Sequence, residues 1–265
     1  MKFSRESNRL ETDLFFREEP GAPSQLVDNI ERFFDPFLHR DCIMSKQRCE
    51  VSQLVSWYRE FLDNGKSAAF VSCVATRYGL STLARLTQSS DHESRRASVL
   101  ALGMLGDRTS IPALGVCLRD TDRCVRLVAE ISFSDVCRRE FGDTARRQLD
   151  IARRHLDGER FEKADQILDA ITTAWPEFGD AWYLRAVTRY CQQDFIQAIG
   201  LARRTVGFNK FHFAAHALEA RTWLDLDTPS RALASFRRSF VINPSQTVVQ
   251  SYIDVLSRQV RASEK

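Results

Sequence analysis

A fixed repeat interval in the second half of the chain constrains its fold more than any other feature. Two sets of alanines keep this interval: Ala164, Ala198 and Ala232, and Ala152, Ala186 and Ala220. Small residues recur where two helices must approach closely, and a repeat of about 34 residues accommodates two antiparallel helices with their turns. One such pair cannot bury its apolar face alone, so the sequence predicts that successive pairs stack on one another.

The residue types at this interval resemble the tetratricopeptide repeat. The matching positions are Ala152, Phe161, Ala164 and Pro176 in the first copy, Trp182, Ala186, Phe195 and Ala198 in the second, and Ala220, Ala232, Phe236 and Pro244 in the third. Arg185 and Glu219 stand where the family has Leu, and Lys210 where it has Pro. The resemblance implies three units over residues 141–244, and with them a concave face that binds a ligand.

A second, shorter repeat is expected over residues 65–140. Asp91 and Asp122 each precede an apolar, arginine-containing stretch, and Arg96 and Arg126 begin comparable parts of the two stretches. The pattern is similar to the HEAT-like repeat of the phycobilisome-lyase type, and residues 101–107 resemble the end of a helix in that family. We expect these arginines to contact Asp side chains of neighbouring repeats in preference to nucleic acid. Both arrays together predict an all-α chain folded as a right-handed α-solenoid with a continuous core.

The two ends of the chain complete this division. Residues 1–64 are predicted to form an arm followed by a helical cap, with one helix from Ser24 to about Pro36 and another over 50–62 that ends before Gly65. Residues 245–265 are expected to form a polar capping helix and a tail.

Composition narrows the function classes only slightly. Of 38 basic and 35 acidic residues, 9 and 12 lie in residues 1–64, so the remainder is mildly basic and suits acidic partners. No apolar run is long enough for a membrane span, and the N-terminal residues lack the apolar segment of a signal peptide. The seven dispersed cysteines are typical of reduced thiols in the cytoplasm, which is the predicted location.

No catalytic motif is recognisable in the sequence. His212 and His216 are four residues apart, as in a zinc-binding helix, but Phe213 replaces the Glu that follows the first His in that motif. His216 also falls at a packing position of the repeat. We therefore expect no metal, no cofactor and no enzymatic activity.

The concave face of the tetratricopeptide-like units is the predicted binding site. Carrying over the register of the family gives a groove lined by Arg146, Arg153, Tyr183, Val187, Tyr190, Arg221 and Leu224. Arginine and tyrosine together suit a protein or peptide partner, with some preference for an acidic one. The sequence therefore favours a non-enzymatic scaffold or adaptor. Two alternatives stay open: an enzyme or lyase-type subunit that uses the HEAT-like part, and nucleic-acid binding through arginine-rich helix faces.

Overall fold

The computed structural model describes residues 52–263, and these residues form helices and no strands. The all-α prediction is therefore confirmed for this part of the chain, whereas the expectations for the arm and for the helix at Ser24 lie outside it. The helices are α1 (Gln53–Asn64), α2 (Ser67–Arg77), α3 (Leu80–Leu86), α4 (His92–Leu105), a 3₁₀ turn (Arg108–Ser110), α5 (Ile111–Cys117), α6 (Arg123–Arg139), α7 (Gly142–Asp157), α8 (Phe161–Ala174), α9 (Gly179–Cys191), α10 (Phe195–Phe208), α11 (Phe213–Asp225), α12 (Pro229–Ile242) and α13 (Thr247–Ser263).

Helix α1 ends as its sequence predicts but begins three residues after the predicted start at residue 50. The Ser52 hydroxyl caps it by accepting a hydrogen bond from the backbone N–H of Val55, and Gly65 closes it with a left-handed φ of 68°. Its apolar stripe, which includes Leu54, Val55 and Tyr58, is buried. The helix packs on α2 and α4. Its C-terminal end confirms the predicted stop at Asn64 and Gly65.

Helices α1 to α6 make up what we call the front part of the structure. Helices α4 and α6 lie at its centre. The side chains of Asp91 and Asp122 cap these helices by accepting hydrogen bonds from backbone N–H groups of their first turns. The two helices also cross closely at Gly103, where an added Cβ would overlap the side chain of Ser132. A residue larger than glycine at this position would therefore force the two helices apart.

The expected arginine–aspartate contact is present for Arg96, and its neighbour Arg95 makes a second one. Arg95 binds Asp120 through two hydrogen bonds of 2.8 and 2.9 Å, and Arg96 binds Asp122 through two of 2.9 and 2.6 Å. These paired bonds tie the first turn of α4 to the residues that precede α6. The structural interpretation of Arg96 is confirmed, whereas the Asp contact expected for Arg126 is wrong, because its side chain donates to the Ser245 hydroxyl and to the backbone carbonyls of Asp120 and Thr121.

Helices α7 to α12 form three pairs with closely matching geometry. Helices α8, α10 and α12 have 14 residues each and begin one repeat interval apart, while α9 and α11 have 13 residues each. The turn inside each pair holds one residue with positive φ, namely Glu159 (54°), Gln193 (63°) and Asp227 (51°). The backbone N–H of each of these residues donates a 2.9 Å bond to the carbonyl three residues earlier. The same turn therefore recurs at the interval found in the sequence.

The order of packing places α6 between the front part and the helix pairs. From α7 to α13, each helix packs on the next one, and α7 and α11 both also contact α9. Helix α6 packs on α4 and α5 and also on α7 and α9. Its buried side chains, from Cys124 to Arg138, consequently spread around most of the helix, apart from the side of Leu127, Glu130 and Ser134.

Candidate functional site

The predicted groove residues lie on α7, α9 and α11, along a surface that continues onto α13; we call it the shared face. Of the seven, Tyr183, Val187, Tyr190 and Arg221 are buried, with 3–8% of each exposed. Arg146, Arg153 and Leu224 are partly exposed. The first four side chains therefore offer little surface to a partner in this structure.

Packing within the chain explains this burial. Helix α6 lies against α7 and α9, and the Tyr183 ring packs on His212 with 4.6 Å between ring centroids. Sequence reasoning did not reveal this contact, because α7 and α8 separate α6 from α9 along the chain and the family register describes the helix pairs alone. The signal that could have indicated it is the wide spread of apolar residues around α6, where Val125, Ile131 and Phe133 point in different directions.

A hydrogen-bonded cluster joins three helices at the far end of the shared face. The Tyr190 hydroxyl of α9 donates a 2.7 Å bond to the carboxylate of Asp225 at the end of α11. Arg221 of α11 donates a 2.5 Å bond to the Tyr252 hydroxyl of α13, and it also bonds to Tyr190. We call these four residues the Tyr–Arg cluster. It fixes the spacing of α9, α11 and α13.

The electrostatics of the Tyr–Arg cluster suit binding better than proton transfer. Burial and the hydrogen bond to Asp225 raise the pKa of Tyr190 above its usual value. Burial alone would lower the pKa of Arg221, but Tyr190, Tyr252 and Asp225 raise it. Both shifts move the groups away from neutral pH, so Tyr190 stays neutral and Arg221 stays charged.

An apolar strip on α13 flanks the Tyr–Arg cluster. Val248, Tyr252 and Val255 are spaced by four and three residues, so they lie on one side of the helix. Val248 is 40% exposed and Val255 is 56% exposed, while Tyr252 is partly exposed and anchored to Arg221. Apolar and aromatic surface beside a fixed arginine is the composition that protein interfaces favour.

The histidine pair differs from its predicted placement. His212 is the N-cap of α11, and its Nδ1 accepts a 3.2 Å bond from the backbone N–H of Ala215, so the expectation that both histidines lie within one helix is wrong. Its Nε2 lies 3.5 Å from Asp180, while His216 lies 4.0 Å from Glu219. Within residues 52–263, no group of three or more His, Cys, Asp and Glu side chains is placed to hold a metal ion.

Comparisons with protein-family models and with curated proteins find no match. No protein-family model matches the sequence, and no curated protein matches it significantly. Among the described helices, none is long and apolar enough to cross a membrane.

Proposed function

We propose that the protein is a non-enzymatic scaffold that binds a partner protein or peptide on the shared face of a right-handed helical solenoid. In this proposal residues 141–244 are three tetratricopeptide-like units, the preceding helices are HEAT-like, and α13 is the capping helix. The observation that supports it most is the recurrence of equal helix lengths and of one left-handed turn residue at the repeat interval of the sequence. Stacked helix pairs of this kind present an extended binding surface.

The accessible end of the shared face is the proposed contact region. Four of the expected groove residues are buried, so a partner would meet Leu224 of α11 together with Val248, Tyr252 and Val255 of α13. Arg221 is buried and its charge is offset by Asp225, so the exposed Arg258 one turn beyond Val255 would give this region its accessible positive charge. Charge of this sign favours a partner segment with acidic side chains. The cytoplasm remains the expected location.

Capture of partners by two matched variants tests this proposal. Val248→Asp/Val255→Asp changes the apolar strip, whereas Val116→Asp/Ile151→Asp changes exposed aliphatic residues on α5 and α7. All four side chains are at least 39% exposed, so both variants should fold, and circular dichroism checks this. We expect the partner retained by the wild type to be lost from the first variant and kept by the second.

Two results would contradict the proposal. If the two variants capture the same proteins as the wild type, the apolar strip is not the contact region. If the material retained by the wild type is nucleic acid that is released by moderate salt, the protein belongs to a different functional class.

A further inference from the structure

Helices α10 and α12 carry arginine without any acidic residue. Between them they hold five arginines and no Asp or Glu: Arg203, Arg204, Arg231, Arg237 and Arg238. All five are exposed. Arg203 and Arg237, like Arg204 and Arg238, are separated by the repeat interval and so occupy equivalent places on their helices. We call this surface the arginine face.

Side chains of α11 bring the two helices into one surface. The Glu219 carboxylate accepts a 2.7 Å bond from Arg203 of α10 and a 3.5 Å bond from Arg238 of α12. The Trp223 ring lies beneath Arg203 and Arg231, with 6.0 and 4.7 Å from each guanidinium carbon to the ring centroid. Arg203, Arg231 and Arg238 are therefore held in place by α11 and do not extend independently into solvent.

Glu219 offsets only part of this charge. It is 3% exposed, lies below the surface, and contributes one negative charge against five positive ones. Arg204 lies 3.8 Å above the Trp182 ring centroid, and Arg237 donates a 3.2 Å bond to the Ser257 hydroxyl, so these two contacts are made with neutral groups. The arginine face thus keeps a strong positive charge at neutral pH.

The exposed side of α10 also contains two glycines that the fold itself does not require. An added Cβ at Gly200 or Gly207 would meet no atom within 4 Å. Glycine inside a helix is destabilising relative to alanine, and packing among residues 52–263 gives no reason for either glycine. Ile196, Gly200, Arg203 and Gly207 follow helical seam spacing, and the equivalent residues on α12 are Ser230, Ala234, Arg237 and Val241.

Small residues along a helical seam let the backbone of another helix approach closely. Each seam also exposes an aliphatic side chain at one end: Ile196 on α10 is 71% exposed, and Val241 on α12 is 64% exposed. A nucleic-acid backbone would use the arginines but not these aliphatic groups or the glycines. We propose that the arginine face binds an acidic amphipathic helix of a partner protein, with apolar residues along the seam and carboxylates on the arginines.

Fluorescence anisotropy with a defined peptide tests this proposal. The probe is a labelled peptide of about 18 residues, long enough to form a helix, with leucines at heptad spacing flanked by glutamates. We expect it to bind the wild type, and a peptide with glutamine in place of glutamate to bind about tenfold more weakly. Binding of the acidic peptide should also weaken as ionic strength rises.

Two protein variants locate the binding. Arg204→Gln/Arg231→Gln/Arg237→Gln removes three positive charges while leaving both ion pairs of Glu219 intact, and we expect affinity for the acidic peptide to fall about tenfold. Arg147→Gln/Arg154→Gln/Lys163→Gln removes three exposed positive charges from α7 and α8 and should leave the affinity unchanged. Gly200→Leu adds a side chain where the free protein has open space, and leucine favours the helix more than glycine, so the melting temperature should rise. The same side chain would block the close approach of a partner helix, so peptide binding should weaken.

The outcomes separate this proposal from its rivals. Equal binding of the acidic and the glutamine peptides would overturn it, and so would equal losses from both triple variants. Tight binding of a single-stranded oligonucleotide that the first triple variant abolishes and Gly200→Leu leaves intact would instead assign the surface to nucleic acid. Because the tested residues lie on α10 and α12 and not on the shared face, the result is independent of the scaffold proposal.

Discussion

At the residue scale, Glu219 explains why a charged residue replaces the leucine of the tetratricopeptide pattern. Burial alone would raise the pKa of its carboxyl group. The nearby His216 ring, the hydrogen bond from Arg203 and the charges of Arg203 and Arg238 lower that pKa to about 2. Arg185 occupies the equivalent place in the preceding helix pair and binds Asp165 and Asp169. Both residues that depart from the family pattern therefore form ion pairs with a neighbouring helix.

The low pKa of Glu219 predicts a specific dependence of stability on pH. The carboxyl group binds protons more weakly in the folded state than in the unfolded chain, where its pKa is near 4.5. Its stabilising contribution is therefore complete above pH 4.5 and is lost as the pH falls toward 2. We expect Glu219→Gln to lower the free energy of unfolding by about 2 kcal/mol at pH 7, because it replaces a buried carboxylate that accepts a charged hydrogen bond from Arg203 with a neutral amide.

Urea denaturation of the wild type and the variant from pH 7 to pH 3 measures this effect. The difference between the two proteins should stay constant down to about pH 4.5 and shrink below it. Glu162→Gln, which changes an exposed carboxylate on α8, is the control and should track the wild type. A Glu219→Gln difference that does not change with pH would show that the ion pairs are not its cause.

At the scale of helices, two ion pairs occupy equivalent positions with reversed charges. Arg185 of α9 binds Asp169 of α8 at 2.6 Å, and Glu219 of α11 binds Arg203 of α10 at 2.7 Å. Positions 185 and 219 are one repeat interval apart, and so are positions 169 and 203. If α10 took the place of α8 against α9, Arg203 would face Arg185. The reversal therefore disfavours a misordered stacking of the helices.

Exchanging the charges of one pair tests its contribution. Asp169→Arg alone brings two positive charges together and should lower the free energy of unfolding by about 1 kcal/mol, since Asp169 is partly exposed. The double variant Asp169→Arg/Arg185→Glu copies the Arg203–Glu219 arrangement and should recover part of this loss. Recovery is incomplete because Asp165, 3.3 Å from Arg185, would then repel the new glutamate.

A double-mutant cycle from thermal or urea denaturation gives the coupling energy of this pair. The account requires a favourable coupling between positions 169 and 185. Strictly additive effects of the two single changes would mean that the two side chains do not act as a pair.

At the scale of the whole molecule, the front helices contact the residues that precede α9, α11 and α13. Phe141, just after α6, packs on Phe178 with 4.9 Å between ring centroids. The Asn209 amide nitrogen lies 3.3 Å from the Cys137 sulfur, and Arg126 donates a 3.0 Å bond to the Ser245 hydroxyl. These contacts connect residues far apart in the sequence. The front helices and the helix pairs thereby share one core.

The carboxyl group of Glu140 at this junction responds to pH in the opposite direction to that of Glu219. Burial raises the pKa of Glu140 to about 7, although Arg108, 3.0 Å away, opposes the shift. The charges of Asp180 and Glu177 add to the rise. A raised carboxyl pKa means that ionisation opposes folding. The associated stability is present below pH 4.5 and is lost as the pH rises toward 7.

Local features of this fold were predictable from the sequence, whereas contacts between its parts were not. Gly65 marked the end of α1, Asp91 and Asp122 marked helix starts, and the alanine interval matched the spacing of the helix pairs, since each depends on neighbouring residues or on one repeated packing position. The burial of Tyr183 and Val187 could not be read from the repeat register, because it depends on α6. Arg126 likewise binds Ser245, which lies 119 residues away and carries no local signal.

Site-specific photocrosslinking tests the central claim, that the protein is a scaffold contacted on its shared face near α13. A photoreactive phenylalanine analogue replaces Val255 in one protein and Ile151 of α7, also an exposed aliphatic residue, in the other. After irradiation in cells, mass spectrometry identifies the products. The account predicts that a protein partner crosslinks at position 255 and not at position 151. Identical products at both positions, or no protein product at position 255, would contradict it.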